Sequence, residues 1–202
     1  MKRPKAIEKA ERIFFYNAGM LKTSDALGLG IHPKTLYELE KAGTIQKLSR
    51  GLYRLSALPG LSHPDLAIVS LRAPKAVLCL NSALAFHRLT SYAPDKIHLA
   101  LKKGTEPPRI SEPRVRLFWF SAFSYFEGIE THEIDGIPVR VYSPEKTIAD
   151  CFKFRNKIGP EIAIQALKLY AQQNQIDLAE LLRLAQLCRI TRIIQPYLEA
   201  IF

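Results

Sequence analysis

The run GIHPKTLYELEKAGTIQKLSRGLYRL, from Gly30 to Leu55, constrains this chain more than any other stretch. Pro33 suits the first turn of a helix, where a missing N–H costs nothing, and Gly43 suits the position just past its end. The spacing predicts a helix over 33–42 with Leu36 and Leu39 facing inward. Two strand-like stretches, 44–48 and 52–55, then flank Ser49-Arg50-Gly51, where Gly51 supplies the positive φ of a short hairpin turn. Upstream, residues 6–18 read as a helix with Ile7, Ala10, Ile13 and Phe14 on one face, ended by Gly19. Thr23 and Ser24 read as N-caps of a short helix around 25–27. Helix, helix, helix, hairpin is the order of a winged helix-turn-helix.

In such a layout the second helix of the motif offers its N-terminal half to base edges in the major groove. The predicted outward side chains are His32, Lys34, Thr35, Tyr37, Glu38 and Lys41. Lysine and histidine can donate to guanine acceptors, threonine reaches a base or a phosphate, and tyrosine more often bonds a phosphate. The hairpin adds Lys47, Ser49, Arg50 and Arg54, with Arg50 at the tip, where a wing meets the sugar-phosphate backbone or the minor groove. Tyr53 and Leu55 are expected to alternate towards the core. A solvated helix face explains any one of these polar residues; the set beside a hairpin points to double-stranded DNA.

Charge runs the same way. Residues 1–60 hold 11 Lys/Arg against 5 Asp/Glu, a balance of +6, and residues 61–120 hold 9 against 4, or +5. Residues 121–202 hold 9 against 10, or −1. A basic front with a balanced rear suits a polyanion at one end and a scaffold or partner surface at the other. No apolar run nears the roughly 18 residues of a membrane span. The start, MKRPKAIEKAERIFF, carries charge where a secretory leader carries an apolar core. Cys79, Cys151 and Cys188 are scattered among apolar neighbours, so they read as buried thiols of a cytoplasmic protein rather than as a disulfide or zinc framework.

Leu58-Pro59-Gly60 is the natural boundary, giving a DNA-binding domain over 1–58 and a second domain over 61–202. The second reads as α+β. Ser62-His63-Pro64 opens a helix to Leu71, a short strand or helix start lies near 77–80, and a helix spans 82–89. Stretches 97–101 and 115–120 read as strands, and 128–134 and 137–142 alternate about Asp135-Gly136 as a hairpin. Helices opened by Ser143-Pro144, Gly159-Pro160, Asp177 and Thr191 follow. The expected result is a small antiparallel sheet followed by a helical bundle.

No catalytic set is legible, and the chain is not expected to be an enzyme. Ser82 and His87 share a helix five residues apart, where they do not face each other, and no third group orients them. Glu130, Glu133 and Asp135 cluster at a hairpin, where carboxylates are usually just solvated. Gly28 and Gly30 form only G-x-G, with no P-loop, zinc motif or paired-aspartate nucleotidyltransferase signature beside them, so no metal or cofactor is expected.

Three motifs in order, L-S-R-G-L-Y-R-L, then N-S-A-L-A-F-H-R-L at 81–89, then Y-S-P-E-K-T-I-A-D at 142–150, resemble the AbiEi antitoxins of type IV abortive-infection toxin–antitoxin systems. The resemblance runs from about Ala6 to Leu198. It implies a winged-helix repressor of its own operon, active in phage defence, whose C-terminal domain counters a cognate nucleotidyltransferase-like toxin. Carried over by position, the DNA surface falls on the helix at 33–42 and the wing at 47–54, and the C-terminal motif on Ser143, Pro144, Glu145, Lys146, Thr147 and Asp150. From the residues alone, Ser143 caps a helix, Pro144 takes its first turn, Glu145 favours its positive end, and Lys146 and Asp150 pair on its surface. A partner contact through Lys146 or Asp150 is the other reading. Two alternatives fit the whole chain: a winged-helix regulator whose second domain dimerises or senses a small ligand, and a metal-dependent nuclease.

Overall fold

The computed structural model describes residues 4–173 and 175–202. It divides into two compact units, one taking the chain up to Leu71 together with Glu133–Ile137, the other Arg72–His132 with Pro138–Phe202. The first unit therefore runs on past Leu58-Pro59-Gly60.

In the first unit the chain forms α1 (Lys5–Tyr16), β1 (Met20–Lys22), α2 (Thr23–Gly28), α3 (Pro33–Lys41), β2 (Ile45–Ser49), β3 (Leu52–Leu55) and the start of α4 (Pro64–Arg72). α1 ends where Ala18 and Gly19 turn into positive φ. Gly19 is needed on a second count: a Cβ there would lie 2.1 Å from Leu58 Cδ1. The chain then pairs at once as β1, too short to leave a periodic signal, on the far side of β3 from β2. All pairings are antiparallel. Thr23 and Ser24 do not cap α2: its N-cap is Lys22, which offers no side-chain acceptor, and the Ser24 hydroxyl donates to Asp25.

The sheet is covered on both faces. One packs on the three helices through Leu21, Ile45, Tyr53 and Leu55, against Phe14, Leu36 and Leu39. Met20 and Arg54, cross-strand partners, point the other way. There Met20 packs with Ala67 of α4 and Ile137, with Leu48, Leu61 and Leu71 around them. Asp135 closes this side by accepting from the Ser62 amide and hydroxyl at 2.8 and 2.9 Å. Each large apolar side chain so buried contributes about 1.5–3 kcal/mol.

The second unit holds β4 (Val77–Leu78), α5 (Leu80–Phe86), β5 (Ile97–Lys102), β6 (Val115–Phe120), α6 (Ala122–Phe126), most of β7 (Ile129–Ile134) and β8 (Ile137–Tyr142), then α7 (Pro144–Lys153), α8 (Arg155–Ile158), α9 (Pro160–Ala171), α10 (Leu178–Leu187) and α11 (Thr191–Ile201). The α+β class stands. The sheet, ordered β6-β5-β4-β8-β7, is mixed rather than antiparallel: β5 pairs β6 in parallel, as β4 does β8. Residues 103–114, carrying three prolines, make a crossover long enough for parallel neighbours without a helix.

α7 is the hub, packed by α5, α9, α10 and α11. Ser143 caps it by accepting from the Lys146 amide at 3.2 Å, and Pro144 takes its first turn. The expectation of a surface Lys146–Asp150 pair is corrected. The pair forms, but with both side chains wholly buried, because four helices leave α7 no solvated face. The Lys146 ammonium sits 4.3 Å from the Tyr142 ring centre and 5.0 Å from that of Phe120. Asp150 also accepts from the Cys188 thiol at 3.5 Å. Burial, opposed by Lys146, raises the Asp150 carboxyl above the usual range.

Candidate nucleic-acid interface

α3 begins at His32, whose ring Nδ1 accepts from the Lys34 amide at 3.2 Å. The imidazole thus stands in for the usual Ser or Asp cap, and Pro33 follows at the first helical position. Leu36 and Leu39 face inward as expected, but Thr35 is buried with them at 8% exposure. Residues 35 and 39 are four apart and 36 and 39 three apart, so one stripe covers all three. His32, Lys34, Tyr37, Glu38 and Lys41 stay exposed.

The hairpin is tied to the start of α2. The Thr23 amide donates to the Gly51 carbonyl at 2.9 Å, and Gly51 holds φ +66°. A Cβ at Gly51 would sit 3.1 Å from Thr23 Oγ1, so the tip closes over the start of α2. The β2–β3 register shifts between Lys47 and Ser49, an irregularity that adds twist to the ribbon. Lys47 and Arg50 are exposed and Ser49 is half-buried. Arg54 is corrected: at 4% exposure it does not face outward. Its guanidinium donates to the carbonyls of Leu58 (3.4 Å) and Pro59. The strand alternation was right, since Tyr53 and Leu55 do face the helices; what hides Arg54 is the cover on the opposite face.

A segment fixed in this way, with cations left free on a capped helix and on a pinned hairpin, carries its own sequence signature. Residues 13–56 match the family of AbiEi antitoxin transcriptional regulators. The AbiEi match starts inside α1 and ends one residue after β3, so it takes in α2, α3 and the hairpin. No curated protein matches the chain. Its fold is similar to the crystal structure of the RV2827C protein from Mycobacterium tuberculosis, with TM-score 0.62 and 14% identity over 98% of this chain and 82% of that one.

Outside the matched segment, most of the residues weighed for catalysis have separate partners. The Ser82 hydroxyl accepts from the His98 amide at 2.8 Å, while His87 Nε2 lies 2.7 Å from the Tyr142 carbonyl. Glu130 pairs with His132 at 3.0 Å, and Asp135 serves Ser62. Among the described residues no three His, Cys, Asp or Glu side chains group as metal ligands, and no helix is long and apolar enough to cross a membrane. The three cysteines are buried and unbridged, and burial is the main cause that pushes each thiol upward.

Proposed function

We propose that the protein is a DNA-binding antitoxin. Residues 1–58 act as a winged helix-turn-helix that binds paired half-sites at the protein's own promoter and represses its operon. Residues 61–202 counteract a cognate nucleotidyltransferase-like toxin, without catalysis of their own and in the cytoplasm. The observation that carries the reading is the coincidence of the AbiEi match with α3 and its pinned hairpin. Burial narrows the DNA-facing set to His32, Lys34, Tyr37, Lys41, Lys47, Ser49 and Arg50, with Thr35 and Arg54 assigned to the fold.

Fluorescence anisotropy on promoter DNA across a salt series tests it. With roughly four to six phosphates neutralised per protomer, log affinity falls against log salt with a slope of about −4 to −5. Arg50→Ala weakens promoter and random duplex alike, whereas Lys34→Ala costs the promoter about 1–3 kcal/mol more than random DNA. A salt-independent signal, or equal losses from both substitutions on both duplexes, overturns the assignment. Co-expression with the product of the neighbouring gene tests the toxin arm, rescue of growth being the expected result.

A further inference from the structure

The second unit holds a cavity of about 400 Å³ lined by Lys75, Leu101, Lys102, Thr105, Tyr125, Phe126 and Arg140. Three cations meet there, and no described lining residue is acidic. They come from separate parts of the chain: the link before β4, the end of β5, and β8. Like charges are brought together against their mutual repulsion, and none of the three has a carboxylate partner among the ion pairs of the described residues.

The arrangement is built. Arg140 Nη1 donates to the Lys75 carbonyl at 3.0 Å and to the Tyr125 hydroxyl oxygen at 3.3 Å. The Tyr125 hydroxyl donates to the same carbonyl, and the Tyr142 hydroxyl donates to the Tyr125 carbonyl at 2.8 Å. Lys102 stands 6.0 Å from the centre of the Phe126 ring, which is 62% exposed. The turn after Lys102 is held by Trp119, whose Nε1 donates to the Thr105 carbonyl at 3.2 Å. A cavity this size admits far more than one inorganic anion. Cations with an exposed aromatic ring are the chemistry that takes phosphate and a planar base together.

We propose that this cavity binds a nucleoside phosphate, its phosphates held by Lys75, Lys102 and Arg140 and its base against Phe126. The ligand is either a free nucleotide or the phosphorylated end of a single strand. The lining residues belong to the second unit, and α3 and the hairpin to the first, so the proposal stands whether or not the DNA assignment does.

Isothermal titration of the full chain decides it, with ATP, inorganic triphosphate and a 5′-phosphorylated single-stranded hexanucleotide as probes. Saturable one-to-one binding of ATP or of the hexanucleotide is expected, and the tighter of the two names the source. Lys75→Ala with Lys102→Ala, both exposed side chains, weakens it at least tenfold through two lost charge-assisted contacts. Phe126→Ala weakens it about fivefold or more. Both variants keep the wild-type melting temperature and promoter affinity. Absence of saturable binding for ATP and the hexanucleotide overturns the proposal, as does undiminished affinity in the double variant. Triphosphate binding as tightly as ATP, with Phe126→Ala silent, removes the nucleoside from it.

Discussion

Lys146 and Asp150 offer a perturbation whose sign depends on which partner is removed. Both are wholly buried, so deleting either leaves a charge without its counter-ion, a defect of about 3–5 kcal/mol. The survivors differ. In Asp150→Ala the ammonium keeps the Tyr142 and Phe120 rings at 4.3 and 5.0 Å. Each desolvated contact of that kind is worth up to about 2 kcal/mol, so the loss falls at the low end, near 3 kcal/mol. In Lys146→Met the carboxylate keeps the Cys188 thiol at 3.5 Å, a weak donor, and the charge of Lys153 on the same helix. Burial already raises the Asp150 carboxyl while Lys146 lowers it, so removing the lysine raises it further and the acid takes up a proton in the folded state. A folded pKa above the unfolded value gives stability that is present at low pH and lost as pH rises, by about 1.4 kcal/mol per unit until the folded pKa is passed. Lys146→Met therefore weakens steadily as pH rises above the ordinary aspartate range, while Asp150→Ala lacks that added slope. Lys146→Met with Asp150→Leu, which removes both charges, is neutral or stabilising by about 1–4 kcal/mol. Urea unfolding followed through Trp119, the sole tryptophan and a residue of the second unit, reads all three. Single variants costing under about 1 kcal/mol, or no pH slope in Lys146→Met, refute the reasoning.

Arg54→Ala lowers stability by about 1–3 kcal/mol through the orphaned Leu58 and Pro59 carbonyls, yet leaves the salt slope of DNA binding unchanged; thermal melts and anisotropy separate the two. Burial, with Arg116 assisting, lowers the buried His98 imidazole to about 4, so unfolded chains bind the extra proton. Stability is then complete above about pH 6.5 and falls by about 3 kcal/mol towards pH 4, a loss that urea titrations should find reduced in His98→Leu. Gly19→Ala and Gly43→Ala both force a side chain into positive φ, but only the first also meets Leu58. Gly43→Ala should cost about 1 kcal/mol and Gly19→Ala distinctly more, read as melting temperatures.

What could be read from sequence was local. Pro33 and Gly43 bracket α3, Asp135-Gly136 turns a hairpin, and Ser143, Asp177 and Gly159-Pro160 open helices, because each acts through its nearest neighbours. The errors lie where distant chain decides. Arg54 carries the period of an outward strand residue; α4 and Ile137, far along the chain, line the face it points to. Lys146 and Asp150 carry the spacing of a surface pair, and only the packing of four helices round α7 puts them in the core. The parallel β5–β6 pairing follows from a crossover over 103–114 that has no periodicity to announce it. At the candidate interface, five of the six side chains expected outward on α3 are exposed; Thr35 turned inward because the buried stripe is wider than its two leucines.

The first unit is assembled from two stretches of chain, and its closing contact, between Ser62 and Asp135, spans 73 residues. On the ribosome the segment that carries α3 and the hairpin emerges early, but it lacks Ile137 and the carboxylate for Ser62 until more than a third of the chain has followed. Closing so long a loop carries an entropic cost that local helices do not. Completion of the first unit is thereby tied to synthesis of the strands downstream, and a chain truncated before Glu133 lacks the last part of its own N-terminal fold.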